Sequence, residues 1–153
     1  MIHYLHREQV IPASVEAVWA FFCDPRNLNT ITPPDMNFEI ITGGGVKMYE
    51  GQVIEYRVEF VRGVRSLWLT GITHVRENEY FVDEQRVGPY RFWYHEHVFE
   101  PVADGVKMTD RVAYILPFGV LGDIVHAAWV GRRLKSIFDF RHGKIAEIFG
   151  SSQ

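Results

Sequence analysis

The sequence predicts an α+β domain, a curved antiparallel sheet of about seven strands wrapped around one long C-terminal helix, with two short helices after the first strand. Three observations carry this. Between Met36 and Leu116 the chain runs as short apolar–polar alternations broken by glycine- or proline-bearing turns, the period-two pattern of antiparallel strands. From Val120 to Phe149, residues Val130, Leu134, Ile137, Phe138, Ile145, Ile148 and Phe149 keep the three- to four-residue spacing of one buried helical face, while Arg132, Arg133, Lys135, Asp139, Lys144 and Glu147 fall mostly off it. At 1.5 Å per residue this segment reaches about 40 Å, enough to cross a small domain. Finally, the 153 residues contain no internal repeat, linker or low-complexity tract, so residues 1–153 are most simply one domain with room for a sound core.

The first strand covers His3 to Ile11 and stops at Pro12. Ser14 is a good N-cap, Glu16 sits in the first turn where the helix dipole favours a carboxylate, and Val15, Val18, Trp19 and Phe22 follow i, i+3, i+4, i+7. Asp24 caps a second short helix with Pro25 at its first position, carrying Leu28 and Ile31 inward until Thr32-Pro33-Pro34 ends it. Met36 to Ile41 is the next strand. The loop Gly43-Gly44-Gly45 lacks the helix start and Lys-Ser/Thr that a phosphate cradle needs. Gln52 to Phe60 sets Val53, Glu55, Arg57 and Glu59 against Ile54, Tyr56, Val58 and Phe60. Val64–Val75, Tyr80–Val87, Tyr90–Phe99 and Val106–Leu116 follow, the last two joined across Pro101-Val102-Ala103-Asp104-Gly105, and Pro117 hands over to the helix.

Composition narrows the function classes. With 47% hydrophobic and 23% charged residues this is an ordinary globular chain, and an aromatic share of 14% suits an apolar cavity as well as a large core. A net charge of −3 without a basic run argues against nucleic acid as a partner. The one cysteine, Cys23, rules out an internal disulfide and fits a reducing cytoplasm. Met1-Ile2-His3 does not read as the start of a signal peptide, and no apolar run reaches the eighteen or so residues of a membrane span.

Two strands carry polar residues where an ordinary core would not. In Trp93-Tyr94-His95-Glu96-His97-Val98-Phe99 the odd positions share a face; in the strand from Val106 to Tyr114 the apolar face of Val106, Met108, Val112 and Tyr114 takes Asp110 inward with it. A buried carboxylate is costly unless it is paired or hydrogen-bonded. If Phe99 faces Val106, then His95 faces Asp110; a two-residue shift sets His97 against Asp110 instead, whereas a one-residue slip would oppose Glu96 to Asp110. The preceding strand adds Asp83 and Gln85, with Phe81, beside the histidines. Three explanations of this patch stay open: an internal network that fixes register, the polar end of a ligand cavity, or a two-histidine, one-carboxylate metal site. The metal is the weakest, since residues i and i+2 on a strand lie roughly 7 Å apart in Cα, and no metal or other cofactor is expected. His74, His126 and His142 are scattered and read as surface or capping residues.

The chain as a whole resembles the SRPBCC superfamily, with its helix-grip fold, which includes START lipid-transfer domains, the birch-pollen allergen and aromatic polyketide cyclases. Ile11-Pro12-Ala13-Ser14-Val15-Glu16-Ala17-Val18-Trp19 resembles the recurrent opening of the first helix in that superfamily. The segments Phe81-Val82-Asp83-Glu84-Gln85, Gly88-Pro89-Tyr90, Trp93 to Pro101 and Asp110 to Gly119 look like a bacterial cyclase/dehydrase-like branch, also found attached to epimerase-like proteins labelled cell-division inhibitors. The resemblance implies a cavity between sheet and helix but no single reaction.

The expected function is therefore binding, with possible carriage, of a hydrophobic small molecule such as a lipid, quinone or polyketide. Its walls would be Trp19, Phe22, Trp68, Trp93, Phe99, Met108, Tyr114, Trp129, Leu134 and Phe138, with Asp83 and Gln85 among the polar groups and His95, His97 and Asp110 on the ligand's head. The alternative is a cofactor-independent cyclase, dehydratase or isomerase in which a histidine oriented by Asp110 is the general base and the second histidine the acid or oxyanion donor. A third reading makes Phe92, Tyr94 and Val98, on the outer face, a protein-attachment point.

Overall fold

In a computed structural model of the chain, the residues described are 1–125 and 129–150. The elements are β1 (His3–Ile11), α1 (Val15–Phe22), two 3-10 turns (Pro25–Asn29 and Pro34–Met36), β2 (Glu39–Thr42), β3 (Val53–Val61), β4 (Val64–Arg76), β5 (Tyr80–Val87), β6 (Phe92–Val102), β7 (Gly105–Ile115), α2 (Val120–Val125) and α3 (Gly131–Phe149). All seven strands form one antiparallel sheet in the order β1-β7-β6-β5-β4-β3-β2.

Local chemistry sets the boundaries as expected at the front of the chain. The Ser14 hydroxyl accepts from the Ala17 amide at 3.2 Å and starts α1. The Asp24 carboxylate accepts from the Arg26 amide at 3.0 Å, with Pro25 in the first position of the following turn. The second strand begins later than Met36, because Pro33 and Pro34 carry a 3-10 turn through that residue and Asn37 then turns left-handed at φ 42°.

The β6–β7 hairpin takes the second of the two allowed registers. His97 faces Asp110, His95 faces Val112, Phe99 faces Met108 and Trp93 faces Tyr114. Both strands run on through the stretch expected to be loop, pairing Val102 with Gly105 and leaving Ala103-Asp104 as the connection. Gly105 makes this possible: its φ is +135°, and a Cβ there would sit 2.1 Å from the Ile11 carbonyl oxygen.

The final helix expected over Val120–Phe149 is described as two pieces, α2 and α3, with residues 126–128 outside the described part. The buried stripe of α3 is Leu134, Phe138, Arg141 and Ile145, while Ile148 lies exposed. Beneath α1 the core is tightly filled, with Trp19 set edge-on against Phe81 and Phe99 at centroid distances of 6.0 and 5.4 Å. A second cluster, including Val58, Phe60, Tyr90, Trp93, Leu134 and Phe138, lines the other end of the helix. Between the two lies open space.

Candidate functional site

That space is a partly open cavity of about 170 Å³ between the sheet, the turns after α1, and α3. By the room one water needs, it would hold roughly ten. Most of its wall is apolar: Phe22, Leu28, Ile31, Tyr56, Val58, Phe60, Trp68, Ile72, Trp93, Leu134 and Phe138 all contribute. Asp83, His95, His97 and Arg141 form its polar side.

The polar side is built on the inner face of the three strands β5, β6 and β7. Register places Asp83 directly opposite His95 and His97 directly opposite Asp110. Because His95 and His97 are two apart on one strand they point the same way, and their rings lie tilted by 37° with centroids 3.7 Å apart. Phe81 stacks on the other face of His97 at 4.1 Å. His95 Nε2 donates to Asp110 Oδ1 at 2.8 Å, and His97 Nε2 donates to Asp83 Oδ2 at 2.7 Å. The remaining nitrogens complete a ring of contacts: His97 Nδ1 lies 3.1 Å from Asp110 Oδ1, and His95 Nδ1 lies 3.4 Å from Asp83 Oδ2.

From the helix side Arg141 reaches in, with Nη2 3.4 Å from His97 Nδ1 and 3.7 Å from Asp110 Oδ1. Its guanidinium lies over the rings of Phe22 and Phe138, and its Nε is buried with no hydrogen-bond partner. Arg141 is the residue that sequence reasoning missed. The signal was present, because Arg141 stands three residues after Phe138 and four before Ile145, on the apolar stripe itself.

The electrostatics follow from this packing. Burial opposes ionisation of Asp110, but Arg141 and the hydrogen bonds from both histidines outweigh it and hold the carboxyl well below the usual range. Asp83 is likewise held low against its burial by His95, His97 and Arg141. The two histidines split. Burial, reinforced by the charge of its neighbour His97, pushes His95 down; for His97 burial is overcome by hydrogen bonds to Asp110 and Asp83, which push it up. The set therefore holds two carboxylates held ionised, one guanidinium, and two imidazoles of unequal basicity, His97 keeping its second proton more readily than His95. Such a group can orient a polar ligand atom, move a proton, or hold a cation at Asp83, His95 and His97.

The other residues singled out from the sequence are distributed as follows. Phe22, Trp68, Trp93, Leu134 and Phe138 border the cavity along with Asp83. Trp19, Phe99 and Met108 lie in the filled core beneath α1. Asp110 stands behind the histidines rather than on the wall. Gln85 is occupied locally: its Nε2 donates to the Tyr90 carbonyl at 2.6 Å and its Oε1 accepts from the Tyr90 amide at 3.2 Å. Tyr114 packs between Tyr90, Trp93 and His3, and Trp129 is half-exposed, edge-on to Phe60. On the outer face Phe92 is exposed, while Tyr94 and Val98 are half-buried. His126 lies outside the described residues.

No protein-family model matches the chain, and no curated protein matches it. Solved structures do. A START superfamily protein from Mycobacterium smegmatis superposes with a TM-score of 0.70 at 14% identity, covering 95% of this chain and 99% of that one. The Zhui aromatase/cyclase from Streptomyces sp. R1128 gives 0.70 at 14% identity over 95% and 94%. Ara h 8.0201 gives 0.64 at 20% identity over 96% and 99%. The chain therefore has the helix-grip α+β fold that these structures share. Identities this low carry the architecture and nothing further.

Proposed function

We propose that this chain acts as one domain that binds a hydrophobic small molecule, of the size and character of a lipid, quinone or polyketide, between the sheet and α3. The observation that supports this reading best is the cavity itself: an apolar, aromatic wall with one compact polar side. The guest's apolar body lies against Trp68, Phe60 and Phe138, and its polar atom meets the His95–His97–Asp83 edge. No described helix is long and apolar enough to cross a membrane, and we take the protein to act in the cytoplasm. Displacement of a fluorescent lipid or naphthol probe, followed also by quenching of Trp68 and Trp93, tests the reading. Leu134→Trp, which fills the space from α3, is expected to abolish displacement while the fold persists; unchanged probe binding in that variant would sink the site.

A second reading is favoured by one specific contact. His95 is held at 2.8 Å by Asp110 beside the cavity and its proton affinity is pushed down by burial, which favours the neutral form a general base needs, while hydrogen bonds to Asp110 and Asp83 push that of His97 up, which favours an acid. One neighbour of the same fold carries the name aromatase/cyclase. If proton transfer on an enolisable ketone is catalysed, His95→Gln is expected to lower kcat by about 100-fold or more with probe binding retained. Equal turnover in both proteins would leave binding alone.

A further inference from the structure

We propose that Asp83, His95 and His97 form a binding site for one divalent transition-metal ion, with its remaining coordination positions open to the cavity. The three donor atoms come from two adjacent central strands and lie within 4.8 Å of one another. Cα spacing along β6 suggested that two histidines at i and i+2 stand too far apart to share an ion, but their rings converge to a centroid distance of 3.7 Å, and the carboxylate arrives from β5 instead of from β7.

The second carboxylate gives the arrangement its direction. Asp110 Oδ1 takes one nitrogen of each imidazole, Nε2 of His95 at 2.8 Å and Nδ1 of His97 at 3.1 Å. That leaves the opposite nitrogen of each ring, Nδ1 of His95 and Nε2 of His97, turned towards Asp83 Oδ2 at 3.4 and 2.7 Å. A buried carboxylate that fixes the rings from behind, so that their lone pairs converge on a third ligand, is the outer-sphere pattern of histidine metal sites. Arg141 sits on the Asp110 side of His97, 3.4 Å from Nδ1, and so does not occupy the converging side.

Charge agrees. With both imidazoles neutral, the carboxylates of Asp83 and Asp110 face one guanidinium, so the buried group needs one further cation. A proton between His97 and Asp83 can supply it, and so can a metal ion. Two imidazoles and one carboxylate suit zinc, cobalt or iron and not magnesium or calcium, which prefer oxygen alone. With arms of about 2.0–2.2 Å, the 2.7 Å contact between His97 and Asp83 opens to roughly 3.3 Å as the ion enters. The free position then faces the apolar cavity, where an oxygen of water or of a guest would complete the shell. This site stands on its own geometry and does not depend on the ligand reading above.

The test is a titration of chelator-treated, untagged protein with Co²⁺ and with Zn²⁺, followed by calorimetry and by the visible spectrum of cobalt, with no guest present. One equivalent is expected to bind, with tetrahedral or five-coordinate cobalt bands. Asp83→Asn, which keeps the shape of the side chain, and His97→Gln are expected to weaken binding by more than the roughly 10- to 100-fold that Asp110→Asn should cost as an outer partner. Glu96→Gln, on the outside of the same strand, is expected to bind as the parent does. X-ray absorption of the zinc form of the unsubstituted protein needs no variant and is expected to show two imidazoles with oxygen ligands. No stoichiometric binding, binding unaltered by Asp83→Asn, or a shell without imidazole would each overturn the site. Probe displacement in excess chelator reports on the cavity separately, so failure of one claim is distinguishable from failure of the other.

Discussion

The two faces of the β6–β7 hairpin carry the same kind of pair in different surroundings. On the outer face Glu96 meets Arg111 at 3.1 Å and Glu100 meets Lys107 at 2.8 Å, with side chains that water reaches in part. One residue away, on the inner face, His97 meets Asp110, with His95, Asp83 and Arg141 completing the group, all except Asp83 nearly sealed from solvent. Strand alternation makes the two sets neighbours in sequence and opposites in energetics. The outer pairs are screened and worth little singly. The inner groups gain strongly from one another only because each would be ruinous alone, so removing one member leaves uncompensated charge behind.

Breaking the inner set should therefore have the largest effect. Asp110→Ala strips both imidazoles and Arg141 of the carboxylate they share and is expected to lower stability by about 3–5 kcal/mol, read from urea unfolding. A loss under about 1 kcal/mol would mean that water already reaches the group. Next comes Arg141→Met, which keeps an apolar stem between Phe22 and Phe138 but removes the guanidinium. The expected cost is about 3 kcal/mol, the low end of the loss for a broken buried ion pair, because Arg141 stands 3.7 Å from Asp110, and it is checked in the same assay. Glu96→Gln tests the outer face; its loss of the Arg111 pair should cost no more than about 0.5 kcal/mol, and less at high salt.

The smallest effect is a matter of pH at a different exposed pair. Hydrogen bonding from the Arg26 side chain holds the Asp24 carboxyl below the ordinary range. The pair thus contributes above the unfolded aspartate value of about 3.9, and that contribution fades as pH falls through the lower folded value. Asp24→Asn keeps the cap, so its thermal midpoint should match the parent below that window and fall short by no more than about a degree or two at neutrality. A larger gap would show that this pair is not screened.

Part of this was legible in the chain. The sheet and α3 were, because alternation and helical spacing are properties of single segments. Asp110 pointing inward was legible for the same reason: Met108 and Val112 fix the phase of its strand. The register of the hairpin was not, because Pro101, Val102 and Gly105 serve equally as loop or strand, and the choice rests on Gly105 fitting against Ile11, a contact between distant parts of the chain. Arg141 escaped because arginine is counted with solvated faces, although its spacing placed it among Phe138 and Ile145. The cavity was legible only as an expectation of the fold, since its volume depends on how far α3 stands from the sheet.

The sheet order sets a timetable. The leading strand lies against the seventh, His3 opposite Tyr114, so that ladder closes a loop of about 110 residues, the slow kind of contact. As the chain leaves the ribosome, β1 therefore waits unpaired while the hairpins from β3 to β6 zip up locally, and a nascent chain halted before β7 leaves β6, an inner strand of the finished sheet, as an unmated edge. Delay at this step, more than any loss of contacts, is what would make the protein dependent on chaperones.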